Sequence, residues 1–291
     1  MRTWRIWLMA ARPRTLPAAV APVLVGTALA IHDDEFRPLA FLAALVGAVL
    51  IQVGTNLSND YSDARRGADT EDRLGPVRVT AGGLVPPRQV LVATYLSFGL
   101  AVLVGMYLVA VAGPVLLLVG GASILAGVLY TGGPRPYGYE GLGEVFVFTF
   151  FGIVAVAGTY YVQAEALPVE PFILAIPVGL LAAAILVVNN VRDLETDRRA
   201  GKRTLAVRLG RDRTRAVYAA MLAAAFGVLI PLCLSIGPWV LLTVLAVPLA
   251  VRLGRTVQTH SDGPTLNRAL AGTGLLQLVF CVLLSAGILL S

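Results

Sequence analysis

The sequence predicts an all-α protein, a polytopic membrane helical bundle with nine transmembrane helices and a cytoplasmic N-terminus. Three observations carry that expectation. The first is composition. Of 291 residues, 57% are hydrophobic and only 14% are charged, and the mean hydropathy is +0.79. A soluble domain carries about 25% charged residues. So few charges cannot cover a water-facing surface, and the disordered, collagenous and disulfide-stapled classes are excluded with it. The second is a series of nine continuous apolar runs, near residues 16–31, 39–57, 90–112, 115–130, 143–162, 172–191, 216–236, 239–251 and 270–290. The third is the placing of charge between them.

A spanning helix needs about 20 apolar residues, and most of the runs reach that length. Runs one, four and eight are short. Helices are expected because a segment in lipid must satisfy its own backbone hydrogen bonds. A barrel would read as alternating segments of about 10 residues, whereas these runs are unbroken. Pro17, Pro22, Pro177 and Pro248 are expected to bend their helices. Gly99, Gly105 and Gly152 read as packing positions, since small residues let helices approach closely.

The loop charges test the count. The N-terminal segment and the loops after runs two, four, six and eight should share one side of the bilayer. They hold 22 of the 23 basic residues, and only Arg37 falls on the other side. Positive loops stay cytoplasmic, so the N-terminus is expected inside and the C-terminus outside. One run more or fewer would scramble the partition. The net charge of +6 is thus a loop bias, not the basic face of a soluble domain. It predicts a lipid bilayer as partner and no nucleic acid.

Most acids lie on the same side, in two clusters. One runs from Asn56 through Asn59, Asp60, Asp63, Arg65, Arg66 and Asp69 to Arg73. The other runs from Asn189 through Arg192, Asp193, Asp197, Arg198 and Arg199 to Lys202, Arg203 and Thr204. Asn56, Asp60, Arg65 and Arg66 recur as Asn189, Asp193, Arg198 and Arg199, 133 residues on. Each cluster ends a run, and the two runs are four apart. We read one domain over 1–291 in two pseudo-repeated halves, with its acid-rich motifs around 56–73 and 189–204. Helical positions i, i+3 and i+4 share a face. Asn56, Asp60 and Asp63 are therefore expected to point one way, as are Asn189, Asp193 and Asp197. Hard cations such as Mg²⁺ take oxygen ligands, commonly one or two carboxylates plus phosphate oxygens. The pattern points to Asp60, Asp63, Asp193 and Asp197 as catalytic, metal-holding carboxylates that bridge to a diphosphate, with Asp69 as a further ligand. The neighbouring Arg66, Arg192, Arg199 and Lys202 suit phosphate oxygens.

The loop after run four, from Tyr130 to Glu144, is rich in Gly and Pro and reads as a defined turn. Its Arg135, Tyr130, Tyr137 and Tyr139 are expected to line the same cavity. No phosphate-binding P-loop, dinucleotide fingerprint, zinc-protease or serine-hydrolase motif is present. A cation-coupled transporter is the rival from another class, but transporter ions bind near the midplane at broken helices. These acids sit at helix ends.

At these motifs the chain resembles the UbiA superfamily of intramembrane prenyltransferases, and within it the branch acting on 1,4-dihydroxy-2-naphthoate. The resemblance starts at Ala11-Arg12-Pro13-Arg14-Thr15 and covers nearly the whole chain. Three stretches carry the branch: Asn59 to Thr70, Tyr130 to Gly143, and Asn190 to Gly210. It implies transfer of a polyprenyl group from polyprenyl diphosphate to the naphthoate ring at its carboxyl-bearing carbon, with loss of CO₂ and diphosphate. It implies Mg²⁺ and a multi-pass plasma (inner) membrane location with a cytoplasmic site. It makes Asn56, Asn59 and Asn189 supporting ligands, lets Asp69 complete the first motif, and adds Arg66, Arg135, Lys202 and Arg203 by local match. Within the superfamily, a benzoate, homogentisate or haem acceptor is the alternative.

Overall fold

The computed structural model describes residues 3–68, 74, 75 and 77–291. Asp69, one of the expected metal ligands, lies outside them. Every apolar run falls in a helix or a chain of helical pieces. Run one is α2 (Pro17–His32), which follows α1 (Thr3–Ala11) and a 3-10 turn at Pro13–Thr15 with a bend of 52°. Then come α3 (Pro38–Arg65), α4 (Pro87–Ala112) and α5 (Val115–Leu129). Run five is α6 (Gly143–Phe148), a π-helical turn at Thr149–Val154 and α7 (Ala155–Ala164). Run six is α8 (Glu170–Arg199), and a short α9 (Leu205–Leu209) follows it. Run seven is α10 (Arg211–Gly227) with α11 (Leu229–Ser235). Run eight is a 3-10 stretch at Pro238–Ala246 with α12 (Val247–Thr259), and run nine is α13 (Gly263–Leu290).

Among the described residues, seven of these helices are long and apolar enough to cross a membrane, or eight if the bent first pair is one span. The predicted nine counts α5 as well, which at 15 residues is a shorter apolar helix. This is a multi-pass membrane protein. Pro17 opens α2 at the 52° bend, and Pro248 lies where the 3-10 stretch passes into α12. They stand in the first turn of α2 and α12, where a missing N–H breaks no bond. Pro22 and Pro177 do lie inside α2 and α8.

Helix α8 is the axis of the bundle. Of its apolar window 72% is buried, against 50% or less for every other span. It packs against α2, α6, α10 and α13, while α3 packs against α2, α4, α5 and α7. The π-turn makes one such approach close. A Cβ added to Gly152 would lie 2.7 Å from Gly179 Cα and 2.8 Å from the Ala175 carbonyl oxygen. Gly99 and Gly105 differ from that expectation, since a Cβ there would meet nothing within 4 Å among the described residues. Gly152→Val must therefore push α8 away, at a cost of about 3 kcal/mol or more. A lowered thermal midpoint in detergent is the expected result, with Gly99→Ala close to wild type.

Candidate active site

The helices α3 and α8 end alike. In α3, Arg66 N donates to Ser62 O (3.1 Å), Gly67 N to Ala64 O (3.2 Å) and Ala68 N to Asp63 O (3.0 Å). In α8, Ala200 N donates to Thr196 O (2.9 Å), Gly201 N to Arg198 O (3.2 Å) and Lys202 N to Asp197 O (2.9 Å). Gly67 and Gly201 adopt φ of +63° and +73°, the left-handed turn that closes a helix C-terminus.

These matched ends pair Asp63 with Asp197, 134 residues apart. In the same register Ala48, Ile51, Gln52, Thr55, Asn56 and Asn59 pair with Ala182, Ile185, Leu186, Asn189, Asn190 and Asp193, and all of them line one cavity. The expected register of 133 is therefore off by one. Successive residues on a helix point about 100° apart, and only one of Asn59 and Asp60 faces the cavity. Asn59 does. Asp60 matches Leu194, and neither residue is on the cavity wall. Asp60 is instead buried against the loop after α3, accepting from Val79 N (3.1 Å) and Thr80 N (2.9 Å).

The cavity measures about 540 Å³. Its polar end joins the two motifs. Lys202 Nζ stands 3.9 Å from an Asp63 oxygen and 3.9 Å from an Asp197 oxygen, and 4.7 Å from the centre of the Tyr139 ring. Asp63 also accepts from Arg78 Nη2 (2.8 Å) and the Tyr139 hydroxyl (2.5 Å). Thr204 Oγ1 lies 3.4 Å from Asp197. Helix C-termini carry partial negative charge, and here each ends on buried carboxylates. Two such ends facing one space call for cations. Among the described residues no three acidic, His or Cys side chains form a metal cage. Mg²⁺ does not need one, because one or two carboxylates with phosphate oxygens and water suffice. Asp63 and Asp197, with the amides of Asn56, Asn59 and Asn189 lining the same cavity, fit that donor set.

The other expected contacts divide. Asp193 lines the cavity but is gripped by its neighbour Arg192 through both oxygens (2.8 and 2.5 Å). Arg192 also bonds Asn189 Oδ1 and Asn267 Oδ1, so it is a clamp behind the wall and not a contact on it. Arg66 is turned to the carbonyls of Thr131 and Gly133, holding the loop after α5. Arg135 and Arg203 correct the expectation most plainly. Both are exposed, in a separate surface recess with Glu140 and Arg208, because Arg203 follows the turn that spends its inward direction on Lys202. Tyr130 and Tyr137 do line the cavity. Burial pushes the Tyr137 hydroxyl above its ordinary pKa, and it donates to Ala126 O (2.8 Å) while its ring stacks on Phe146 at 3.9 Å.

Among the cavity residues not legible as site residues are Arg12, Gln52, Arg78 and Thr131. Gln52 carries a signal, a polar residue one turn before Asn56 inside an apolar run. Arg12 is held at φ +54°, and Arg78 and Thr131 sit in loops with no pattern. Below the polar end the wall is apolar, from α4 and α5 (Val102, Met106, Val109, Leu117, Ile124) and the π-turn (Phe150, Phe151).

An apolar chamber inside a membrane bundle, closed at one end by acids, amides and cations, has the shape and charge of an enzyme site for an amphiphilic substrate. The chain belongs to the UbiA prenyltransferase family, whose sequence model matches residues 19–279. It is 44% identical to a Mycobacterium tuberculosis 1,4-dihydroxy-2-naphthoate octaprenyltransferase over 97% of this chain and 96% of that one. It is 42% identical to the Escherichia coli protein of the same name, over 94% and 93%. In fold it is similar to a UbiA homolog from Archaeoglobus fulgidus bound to GPP and Mg²⁺ (TM-score 0.70, 15% identity, 97% of this chain and 99% of that one). An apo UbiA homolog from Aeropyrum pernix is similar too (TM-score 0.72, 15% identity, 94% and 97%).

Proposed function

We propose that this prenyltransferase joins a polyprenyl group from polyprenyl diphosphate to 1,4-dihydroxy-2-naphthoate, releasing diphosphate and CO₂ and giving demethylmenaquinol. The names of its relatives support the acceptor. The observation that carries the chemistry is the meeting of Asp63 and Asp197 about Lys202 at the head of an apolar cavity.

Bound Mg²⁺ would neutralise the leaving diphosphate, held by Asp63 and Asp197 with Asn56, Asn59 and Asn189. Lys202 and Arg78 add fixed positive charge where negative charge develops, the main lever of such catalysis. The apolar wall seats the isoprenoid tail and excludes water, which would otherwise capture the allylic fragment as an alcohol. The stacked rings of Tyr137 and Phe146 line the same space, and aromatic rings attract cations. As the new C–C bond forms, the electron pair of the bond to the carboxylate restores aromaticity and CO₂ leaves. That exchange releases no proton from carbon, so no base is required. The pseudo-repeated halves rest on the repeated helix ends, the cytoplasmic side of the site on the loop charges, and the plasma (inner) membrane location on the family resemblance.

The test is purified protein with Mg²⁺, polyprenyl diphosphate and one aromatic acceptor at a time. Carboxyl-labelled dihydroxynaphthoate is expected to release labelled CO₂ in step with diphosphate, at least about tenfold faster than a benzoate or homogentisate reacts. Equal use of a benzoate, or product that retains the carboxyl label, rejects this acceptor.

A further inference from the structure

We propose that Asp60 is a positioning residue that seats Arg78 on Asp63, and not a metal ligand. This rests on the diphosphate reading of the site just given. Its helix position turns Asp60 away from the cavity, and the matching position in the other motif is Leu194, which can bind no metal. Asp60 is 2% exposed, and its carboxylate takes two consecutive backbone N–H groups, from Val79 (3.1 Å) and Thr80 (2.9 Å). Hydrogen bonds to a buried charge are the strong ones.

The loop held there is built on itself. Leu84 N and Val85 N both donate to Val79 O, and Gly82 N donates to Arg78 O. Val79 and Val85 are buried with Leu57 and Val90 in a small apolar cluster. The segment thus hangs from Asp60 as one unit. Arg78, the residue before the first anchored amide, reaches from it to Asp63 at 2.8 Å with its side chain 9% exposed. It also lines the cavity. A change at Asp60 reaches the diphosphate site through the direction in which Arg78 leaves the loop.

The test uses the full chain in detergent or nanodiscs, with prenyl diphosphate and Mg²⁺ titrated separately. Asp60→Asn and Arg78→Gln are each expected to raise KM for the diphosphate about tenfold, the scale of one charge-assisted bond. Both should keep half-saturating Mg²⁺ within about twofold of wild type. The double variant should be no worse than about twice the weaker single, because coupled residues are not additive. Asp60→Glu, which keeps the charge on a longer stem, is expected to recover part of the loss and covers the case in which Asp60→Asn does not fold. Asp60→Asn or Asp60→Glu shifting the Mg²⁺ requirement as far as Asp63→Asn does would make Asp60 a ligand and overturn the proposal. So would effects of Asp60 and Arg78 that multiply. Wild-type turnover in Asp63→Asn would instead bring down the diphosphate reading itself.

Discussion

Asp63→Ala and Asp197→Ala are each expected to lower kcat by about a thousandfold, the upper range for losing one electrostatic group at a reacting centre, with the protein still folded. Both carboxylates lie in the last turn of their helices, where the backbone ends add negative charge. Neither contributes to the apolar core, and the cost of removal falls on ion pairs at the polar end, Asp63 with Arg78 and Asp197 with Lys202. Neither serves a purely structural network of the kind that occupies Asp60 and Asp193. What each does is face the same cation from an opposite wall, at 3.9 Å. A substrate diphosphate bridging those walls would lose one of its two holds. The two losses should not multiply in the double variant, since a bridge broken at one end is already broken. Single-turnover rates in the presence of excess Mg²⁺ and prenyl diphosphate check the prediction, and a variant within about tenfold of wild type would remove that residue from the reacting centre.

The fold was legible because lipid leaves few options. The nine apolar runs became helices or chains of helical pieces, since an unbroken apolar run can satisfy its backbone in hydrocarbon only within itself, and 22 of 23 basic residues divided cleanly among the loops. Which acids matter was harder to read. The sequence repeats Asn-x3-Asp-x4-Arg-Arg at an offset of 133, whereas the helix ends superimpose at 134 through Gly67 and Gly201. A shift of one residue rotates a helix by about 100°. That rotation exchanges Asp60 for Asn59, which holds Thr131 Oγ1 at 2.9 Å. The signal that does find the wall is the spacing Gln52, Asn56, Asn59, Asp63, a polar stripe at steps of four, three and four that continues into the apolar run. Arg135 and Arg203 misled because residue type and proximity in sequence say nothing of which way a turn points. Arg78 could not be found, since a loop side chain gains its direction from what anchors the loop.

Lys202→Met is expected to reduce kcat by about a hundredfold, within the range for one fixed charge in a water-poor site, and to lower the thermal midpoint when divalent metal is chelated. The two effects share one cause. Lys202 is the residue after Gly201, and its backbone N–H closes the end of α8 on Asp197. The cap therefore fixes where its side chain starts. From there Nζ reaches Asp63 and Asp197 equally across the face of Tyr139. Its counterpart in the other helix end is Ala68, so the pair of motifs carries this cation on one side only. Met keeps the volume and removes the charge, which leaves two buried carboxylates facing each other. Added Mg²⁺ should restore the thermal midpoint in Lys202→Met but not the rate, because a metal can hold the carboxylates apart without replacing a donor to the leaving group. Lys202→Arg should hold the midpoint without metal, yet its planar fork cannot occupy the point-like position of an ammonium. Restoration of both midpoint and rate by metal alone would show that Lys202 is only a counter-ion for the empty site.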